Sequence, residues 1–354
     1  MSKVAYLTVF AVFLFTACSE EEPIAIDNVI PVVQAESSFT VLKEENISYA
    51  EGLSHNMTST SSFAIPLKLD IYYPDNNTTN RPVFMFIHGG GFTGGTKTKP
   101  EIVDMANFYA SRGWVFVSVD YRTTEELGTI QGMTPEEVVS YYTGIAPQEW
   151  IDNALQGAQN SDQVQQATAM YLAQRDAKAA LRWIVANAVA YNINTDYITV
   201  GGASAGAITT IALGISNKED FRDEISINDD PTLSTTNLNE SYEVRSMLYF
   251  WGSNIKLDVF EAVYALNQYD RYDVNDPELF MGHGTAEDLV TPYEEALELQ
   301  EVYNSLGIYN KLVTLLKPNG APAGHGAWNA IVDGKGLSEL TFDFLTDRQQ
   351  LIVE

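Results

Sequence analysis

Ser204 lies in a stretch whose residue types could turn its hydroxyl into a nucleophile. The pattern Gly-x-Ser-x-Gly at residues 202–206 separates a short β-branched, apolar run from a run with helical character. Residues 197–200 predict a buried strand, and residues 207–213 predict the helix after it. A serine in a strained turn between the two exposes its hydroxyl, and the close approach of strand and helix admits only small neighbours. A Gly/Ala-rich connection without catalytic function is the alternative, so the prediction requires a base, an acid and an oxyanion hole elsewhere.

The base that the serine requires is predicted to be His325. A neutral serine hydroxyl is a weak nucleophile until a neighbouring base takes its proton. Of the four histidines, His88 opens a glycine run, His283 begins a Gly-Thr turn and His55 precedes the predicted catalytic framework. His325 follows the last predicted strand in a glycine-rich loop, and we therefore expect it to be the general base.

The acid that orients this base is expected at a strand end between Ser204 and His325. Glu287 and Asp288 both follow a predicted strand at residues 279–281. Either carboxylate could accept a hydrogen bond from the imidazole, so both are candidates.

Backbone N–H groups that could stabilise a tetrahedral oxyanion are predicted at Gly90, Gly91 and Ala205. The two glycines belong to a His-Gly-Gly-Gly-Phe sequence at residues 88–92, directly after a continuous apolar run, and Ala205 follows the serine. Glycines allow the backbone to approach a reacting group closely. A glycine run could instead form a phosphate loop, but neither Gly-Lys-Ser/Thr nor Gly-x-Gly-x-x-Gly with a downstream acid accompanies it.

The composition limits the classes of protein to consider. With 354 residues, of which 45% are hydrophobic, the chain can form one large domain with a buried core. Its 47 acidic and 20 basic residues give a net charge of −27, which makes nucleic acid and anionic lipid head groups poor partners. With a single cysteine, the chain cannot form an intramolecular disulfide.

The first residues predict export. Residues 1–17 resemble a secretory signal, because Lys3 precedes an apolar run that is shorter than the ~20 residues of a transmembrane helix. The run ends in Phe-Thr-Ala-Cys, which resembles a bacterial lipobox, so Cys18 is predicted to be lipidated; a free thiol is the alternative. We therefore expect an exported protein, anchored through Cys18 to the bacterial outer membrane or cell surface, with residues 18–37 as a tether.

The elements that must position these residues are those of an α/β domain over residues 38–354. Buried strands alternate with helices, which predicts a mostly parallel central sheet with helices on both faces. Residues 52–62, rich in Ser, Thr and Asn, are predicted to be a loop with His55 at the surface. The predicted strands lie near residues 39–49, 67–73, 82–87, 114–119, 197–200, 246–251, 279–281 and 311–316. Helices are predicted near 102–111, from a point after residue 161 to about 188, at 292–306 and after 337.

Residues 124–174 interrupt this alternation and predict a helical cap. The segment contains acidic residues but no Lys or Arg, and a capping box at residues 134–137 predicts its first helix. A second short helix is predicted at residues 147–156. The aromatic residues of the cap either face a substrate or attach the cap to the body: Tyr141, Tyr142 and Trp150.

Taken together, these motifs resemble the α/β-hydrolases, most closely the carboxylesterases and the hormone-sensitive-lipase-like esterases. The resemblance runs from about residue 46 to the C-terminus and rests on residues 88–92, 120–122, 175–183, 202–206, 283–285 and 324–326. It implies an acyl-serine mechanism without cofactor or metal, with Ser204 as nucleophile and His325 as base and then acid. One position departs from the family pattern, which has Asp four residues after the His of the His-Gly-Thr turn. Here Glu287 occupies that position, so register favours Glu287, whereas a one-residue bulge would select Asp288.

The expected activity is therefore hydrolysis of carboxylic esters, carried by small molecules or by a polysaccharide. A surface lipoprotein with this domain resembles esterases that remove acetyl or feruloyl groups from plant polysaccharides. Alternatives are small lipophilic esters, a serine peptidase of the same fold and a non-catalytic surface binding lipoprotein. The sequence leaves the oligomeric state open.

Overall fold

The computed structural model of the chain describes residues 29–56, 59–128, 130–254 and 271–354, and an eight-stranded sheet forms its centre. The expectations for residues 1–28, including Cys18, lie outside the described residues. The strands are β1 (Val32–Val33), β2 (Val41–Asn56), β3 (Ser59–Pro74), β4 (Arg81–Ile87), β5 (Val115–Val119), β6 (Ile193–Ala203), β7 (Val244–Phe250), β8 (Glu278–Gly284), β9 (Asn310–Leu315), β10 (Ile331–Val332), β11 (Lys335–Gly336) and β12 (Ile352–Val353).

The order of strands in the central sheet is β2-β3-β5-β4-β6-β7-β8-β9. The first two pairings, β2 with β3 and β3 with β5, are antiparallel. All the pairings from β5 to β9 are parallel. The mostly parallel α/β architecture expected from the sequence is confirmed.

Helices cover both faces of the sheet, as the side chains of β4 show. Val83, Met85 and Ile87 lie in the core on one face, which also contains buried side chains of the helices Ser161–Ala186, Ala205–Ile215 and Tyr293–Leu306. Phe84 and Phe86 lie in the core on the other face, which also contains buried side chains of the helices Pro100–Ala110 and Leu337–Arg348. This burial on both sides explains why β4 is apolar throughout its centre. The helices are α1 (Pro100–Ala110), α2 (Pro135–Tyr142), α3 (Gln148–Gly157), α4 (Ser161–Ala186), α5 (Ala205–Ile215), α6 (Tyr293–Leu306) and α7 (Leu337–Arg348).

None of these helices, within the described residues, is both long and apolar enough to cross a bilayer. The longest, α4, is a 26-residue helix with buried charged side chains. It runs without a break past residue 174, so the cap and the body of the domain share it.

The prediction of a loop at residues 52–62 is wrong, because β2 and β3 continue through most of this segment as a hairpin. Leu53 pairs with Ala64, and Ser54 pairs with Phe63. Serine and threonine are typical of loops, yet threonine is also common in strands. The backbone pairing with a neighbouring strand, rather than local composition, determines the conformation here.

The cap helices α2 and α3 pack on the body through buried aromatic rings. Thr134 and Glu137 form the capping box that the sequence predicts at the start of α2. His55 is 2% exposed, and its ring lies 5.2 Å from those of Tyr141 and Tyr142, so the prediction of a surface histidine is wrong. Trp150 is also buried and donates a hydrogen bond to the carbonyl oxygen of residue 167. These contacts favour attachment of the cap as the role of its aromatic residues.

Candidate active site

The turn between β6 and α5 holds Ser204 in a strained conformation. Its φ of 55° and ψ of −119° are rare for a residue with a side chain. A Cβ on Gly202 would lie 2.2 Å from the carbonyl oxygen of Gly206, and a Cβ on Gly206 would lie 2.0 Å from that of Ile87. The strand, tight turn and helix with small residues around the serine are therefore present as the sequence predicts.

Ser204, His325 and Asp288 form a continuous line of contacts. Nε2 of His325 lies 3.0 Å from Oγ of Ser204, and Nδ1 lies 2.9 Å from Oδ2 of Asp288. The imidazole is about one third exposed, whereas the carboxylate of Asp288 is buried. This geometry suits proton transfer from the serine to an imidazole whose far nitrogen is fixed by a carboxylate.

The preference for Glu287 as the acid is corrected by this geometry, which selects Asp288. In the described part of the chain no hydrogen bond or ion pair joins Glu287 to His325, and Glu287 is exposed. The reason is a turn that begins at Asp288. The backbone N–H groups of Val290 and Thr291 donate to its Oδ1 at 2.9 and 3.1 Å, so its carboxylate is folded back toward the imidazole.

The carboxylate of Asp288 is stabilised in its ionised form. Burial by itself would raise its pKa, but the hydroxyl of Thr291, the two backbone N–H groups and His325 donate hydrogen bonds to it. The balance leaves the pKa of Asp288 below its ordinary value. The group is therefore an anion at neutral pH, as orientation of an imidazole requires.

The glycine run after β4 passes directly over Ser204. A Cβ on Gly89 would lie 3.0 Å from Cβ of Ser204, and one on Gly90 would lie 1.9 Å from the carbonyl oxygen of Gly94. Gly90 and Gly91 both have positive φ, at 138° and 62°. Glycine is therefore required at Gly90 for close approach of the backbone as well as for its dihedral angle.

Two side chains fix the peptide planes that carry the N–H groups of Gly90 and Gly91. Nδ1 of His88 lies 2.8 Å from the carbonyl oxygen of Gly89, and Oγ1 of Thr93 donates to that of Gly90 at 3.0 Å. Because the peptide unit is planar, a fixed carbonyl fixes the N–H of the next residue on the opposite side.

The N–H groups of Gly90, Gly91 and Ala205 are the donors that we expect to bind an oxyanion. Among the described residues, no backbone or side-chain acceptor receives a hydrogen bond from the N–H of Gly90, Gly91 or Ala205. Ala205 is the first residue of α5, where the helix dipole adds a favourable field for an anion.

The other histidines lie outside the contact line of Ser204, His325 and Asp288. Burial lowers the pKa of His88 and of His283, so both imidazoles are neutral near pH 7. His88 stacks on Tyr121 with 4.4 Å between the ring centroids, and its Nδ1 contacts the carbonyl oxygen of Gly89 in the glycine run. Within the described residues, no group of three or more His, Cys, Asp or Glu side chains is arranged to hold a metal ion.

A cavity of about 590 Å³ adjoins the glycine run on the side of the cap. Gln166 connects the cavity with the glycine run, because its side chain lines the cavity and its Nε2 donates to the carbonyl oxygen of Gly91 at 2.6 Å. The named lining residues include four amides and no charged side chain. They are Asn153, Gln159, Gln163 and Gln166, with Phe92 and Met170 among the apolar ones. Gln166 could not be predicted from the sequence, because no motif marks a residue that reaches the site from α4.

Three features define the chain as an α/β-hydrolase-fold protein: the strand order, the glycine run after β4, and the tight turn at Ser204 between β6 and α5, which we call the elbow. A truncated carbohydrate esterase from gut microbiota superposes with a TM-score of 0.53 at 18% identity, over 90% of this chain and 99% of that one. Esterase 2 of Thermogutta terrifontis, phosphorylated by paraoxon, gives 0.55 at 19% identity, over 86% and 94%. At these identities the likeness establishes the fold.

The chain belongs to the BD-FAE family, whose model matches residues 69–131 and 160–303. The unmatched residues between the two segments contain α2 and α3. Among curated proteins, phenmedipham hydrolase of Pseudarthrobacter oxydans is 29% identical over 147 residues, which is 42% of this chain. The match spans 22% of that relative's length.

Proposed function

We propose that the chain is a serine hydrolase that cleaves carboxylic esters through an acyl-serine intermediate. The observation that carries this proposal is the contact line from Oγ of Ser204 through His325 to Asp288. The unpartnered N–H groups of Gly90, Gly91 and Ala205 support it, since an ester carbonyl above Ser204 needs donors for its developing negative charge.

Each step of the proposed reaction has a residue to perform it. His325 takes the proton from Ser204 as Oγ attacks the ester carbonyl, and the three N–H groups bind the resulting oxyanion. Asp288 stays ionised and stabilises the imidazolium. His325 then gives its proton to the departing alkoxide, which leaves an acyl group on Ser204. Water, activated by His325, attacks this acyl group and releases the carboxylic acid.

The proposal is tested by a variant without the nucleophile. Ser204→Ala should fold with an unchanged melting temperature and lose p-nitrophenyl acetate hydrolysis by on the order of 10⁴-fold or more. Ser216→Ala, at the end of α5, is the matched control and should keep full activity. Hydrolysis by Ser204→Ala at the rate of the unchanged protein would refute the assignment.

A covalent probe gives an independent readout. The structural relative from Thermogutta terrifontis is phosphorylated by paraoxon, and paraoxon is a phosphate triester that reacts with activated serines. Intact-protein and peptide mass spectrometry should locate one adduct on Ser204. The adduct should be absent from Ser204→Ala and from protein that has not been treated.

A carbohydrate-borne ester is the substrate class that the cavity favours. Uncharged amide side chains, each with donor and acceptor groups, suit the hydroxyl groups of a neutral sugar. The name of the structural relative described as a carbohydrate esterase agrees with this interpretation. We expect Gln163→Ala to raise KM for acetylated xylan, and to leave KM for p-nitrophenyl acetate unchanged.

The remaining alternative functions are distinguished by the substrates that the protein hydrolyses. A serine peptidase would cleave a prolyl peptide anilide in a Ser204-dependent way. A small-ester enzyme would prefer short or long p-nitrophenyl esters to acetylated xylan. A non-catalytic binding lipoprotein would be inactive on every substrate and would not react with paraoxon.

Lipid anchoring through Cys18 is a proposal that rests on the sequence pattern of residues 1–18. Acyl chains contribute about 0.8 kcal/mol per buried CH₂, so several chains on one cysteine would anchor the protein firmly. In a bacterial host, Cys18→Ser should move the protein from the membrane fraction to the soluble one. A variant that still sediments with membranes would disprove the anchor and leave the proposed chemistry intact.

A further inference from the structure

Thr291 is a buried residue that contacts the acid and the base of the site together. It lies in the loop between β8 and α6, immediately before Pro292, and is 1% exposed. No motif in the sequence marks it, and the proposed mechanism gives it no role.

The hydroxyl of Thr291 closes a triangle with Asp288 and His325. Oγ1 lies 2.7 Å from Oδ2 of Asp288 and 2.9 Å from Nδ1 of His325. The third side, from Nδ1 to Oδ2, is 2.9 Å. All three distances are within hydrogen-bond range, so the hydroxyl is placed to bond with both partners.

The number of protons decides the direction of these hydrogen bonds. An ionised carboxylate can only accept, so the single hydroxyl proton of Thr291 is donated to Oδ2 of Asp288. Oγ1 then has lone pairs toward Nδ1 of His325, whose proton is shared between Oδ2 and Oγ1. This arrangement selects the tautomer that leaves Nε2 without a proton and able to accept the one from Ser204.

We propose that Thr291 is a positioning residue of the active site, which orients Asp288 and fixes the ring and tautomer of His325 through one hydroxyl group. The proposal rests on the function proposed above, because it assigns a part in the same proton transfer. It also gives a physical reason for the choice of acid, since Thr291 bonds Asp288 with both its backbone N–H and its side chain.

The electrostatic surroundings of the His325 ring are set by a few groups. From β8 and the loop after it, His283 interacts electrostatically with His325 and Asp288 contacts the ring, and Ser204 contacts it from the elbow. Burial keeps His283 neutral near pH 7, so Asp288 is the charge in this group. A change at Thr291 therefore acts on the His325 ring both directly and through Asp288.

The test compares two substitutions that differ in the hydroxyl. Thr291→Val has nearly the same shape and no hydroxyl, whereas Thr291→Ser keeps the hydroxyl and loses the methyl group. With p-nitrophenyl acetate, Thr291→Val should lower kcat roughly tenfold with KM unchanged, the size expected for one lost hydrogen bond to a charged group. Thr291→Ser should restore most of kcat.

The pH profile separates a positioning role from a structural one. The hydroxyl of Thr291 contacts both Asp288 and Nδ1 of His325, so the acid limb of kcat/KM should shift in Thr291→Val and return in Thr291→Ser. An unchanged acid limb in a folded Thr291→Val overturns the proposal, whatever its melting temperature. If Thr291→Val does not fold, Thr291→Ala is compared with Thr291→Ser in the same way.

A spectroscopic measurement does not depend on turnover. The Nδ1 proton of the His325 imidazolium should give a low-field proton NMR signal in acid, which moves in Thr291→Val and returns in Thr291→Ser. An unmoved signal overturns the role of Thr291. Full activity of Ser204→Ala would instead refute the proposed function, so the two failures are distinguishable.

Discussion

Oδ2 of Asp288 lies 2.9 Å from Nδ1 of His325, although register along the chain favours the preceding residue. Asp288→Asn removes the charge that stabilises the imidazolium and fixes the tautomer, so kcat should fall by on the order of 10³–10⁴-fold. Glu287→Gln, its matched control one residue away, should stay within about twofold, since Glu287 is exposed. The measurement is kcat for p-nitrophenyl acetate. A larger loss of kcat in Glu287→Gln than in Asp288→Asn would identify Glu287 as the acid.

Gly206 is expected to be required for its small size and not for any chemistry. A Cβ there would lie 2.0 Å from the backbone oxygen of Ile87, which cannot move without displacing β4. Gly206→Ala should therefore lower the melting temperature and abolish activity by displacing Ser204.

Gly157→Ala is the control for Gly206→Ala, because nothing lies within 4 Å of a Cβ at that position of α3. Its melting temperature should be unchanged or slightly raised, since alanine favours helix. Equal melting temperatures for the two variants would show that the elbow tolerates a side chain at residue 206.

The ion pair of Arg122 and Asp176 is expected to be important for stability. Both side chains are buried, and Nη2 of Arg122 donates to Oδ1 of Asp176 at 2.6 Å. Asp176→Asn leaves a buried guanidinium without its counter-charge, which costs about 3–5 kcal/mol of unfolding free energy. Urea denaturation measures this loss.

The pair of Arg348 and Glu278 provides the comparison at the surface. It has a similar distance of 2.6 Å, but both side chains are about 30% exposed. Glu278→Gln should cost about 0–1 kcal/mol, because water compensates for the lost partner. A loss as large as that of Asp176→Asn would argue against burial as the cause.

Lys178 should make stability depend on pH. Burial lowers its pKa to about 7 from an ordinary value of 10.5, in part offset by the nearby carboxylates of Asp220 and Glu224. Between these two pH values the unfolded chain binds a proton that the native chain has lost. The free energy of unfolding therefore increases as pH rises through this window. This contribution of Lys178 disappears as pH falls to 7.

The variant that tests this dependence is Lys178→Met. The unfolding free energy of the unchanged protein minus that of Lys178→Met should increase with pH by roughly 1 kcal/mol per unit across the window. Lys335→Met, at an exposed position, should show no such trend. A constant difference for Lys178→Met would mean that Lys178 keeps its ordinary pKa in the folded protein.

The features that could be predicted from sequence are those that depend on neighbours in the chain. The apolar run of β4 predicts a strand covered on both faces, and the capping box of α2 is made by two residues three positions apart. The long hairpin of β2 and β3 could not be predicted in this way, because partners such as Leu53 and Ala64 are distant in sequence.

By itself the sequence determined the elbow around Ser204, the glycine run and the position of His325 after the last long parallel strand, because tight turns and buried strands require particular residue types locally. The tertiary structure decided which of two adjacent carboxylates meets His325. That choice depends on the hydrogen bonds from Thr291 to Asp288, which close the turn and cannot be predicted from the spacing of residues along the chain. It also decided that His55 is buried under the cap and that Gln166 reaches the glycine run, because both contacts join segments that only folding brings together.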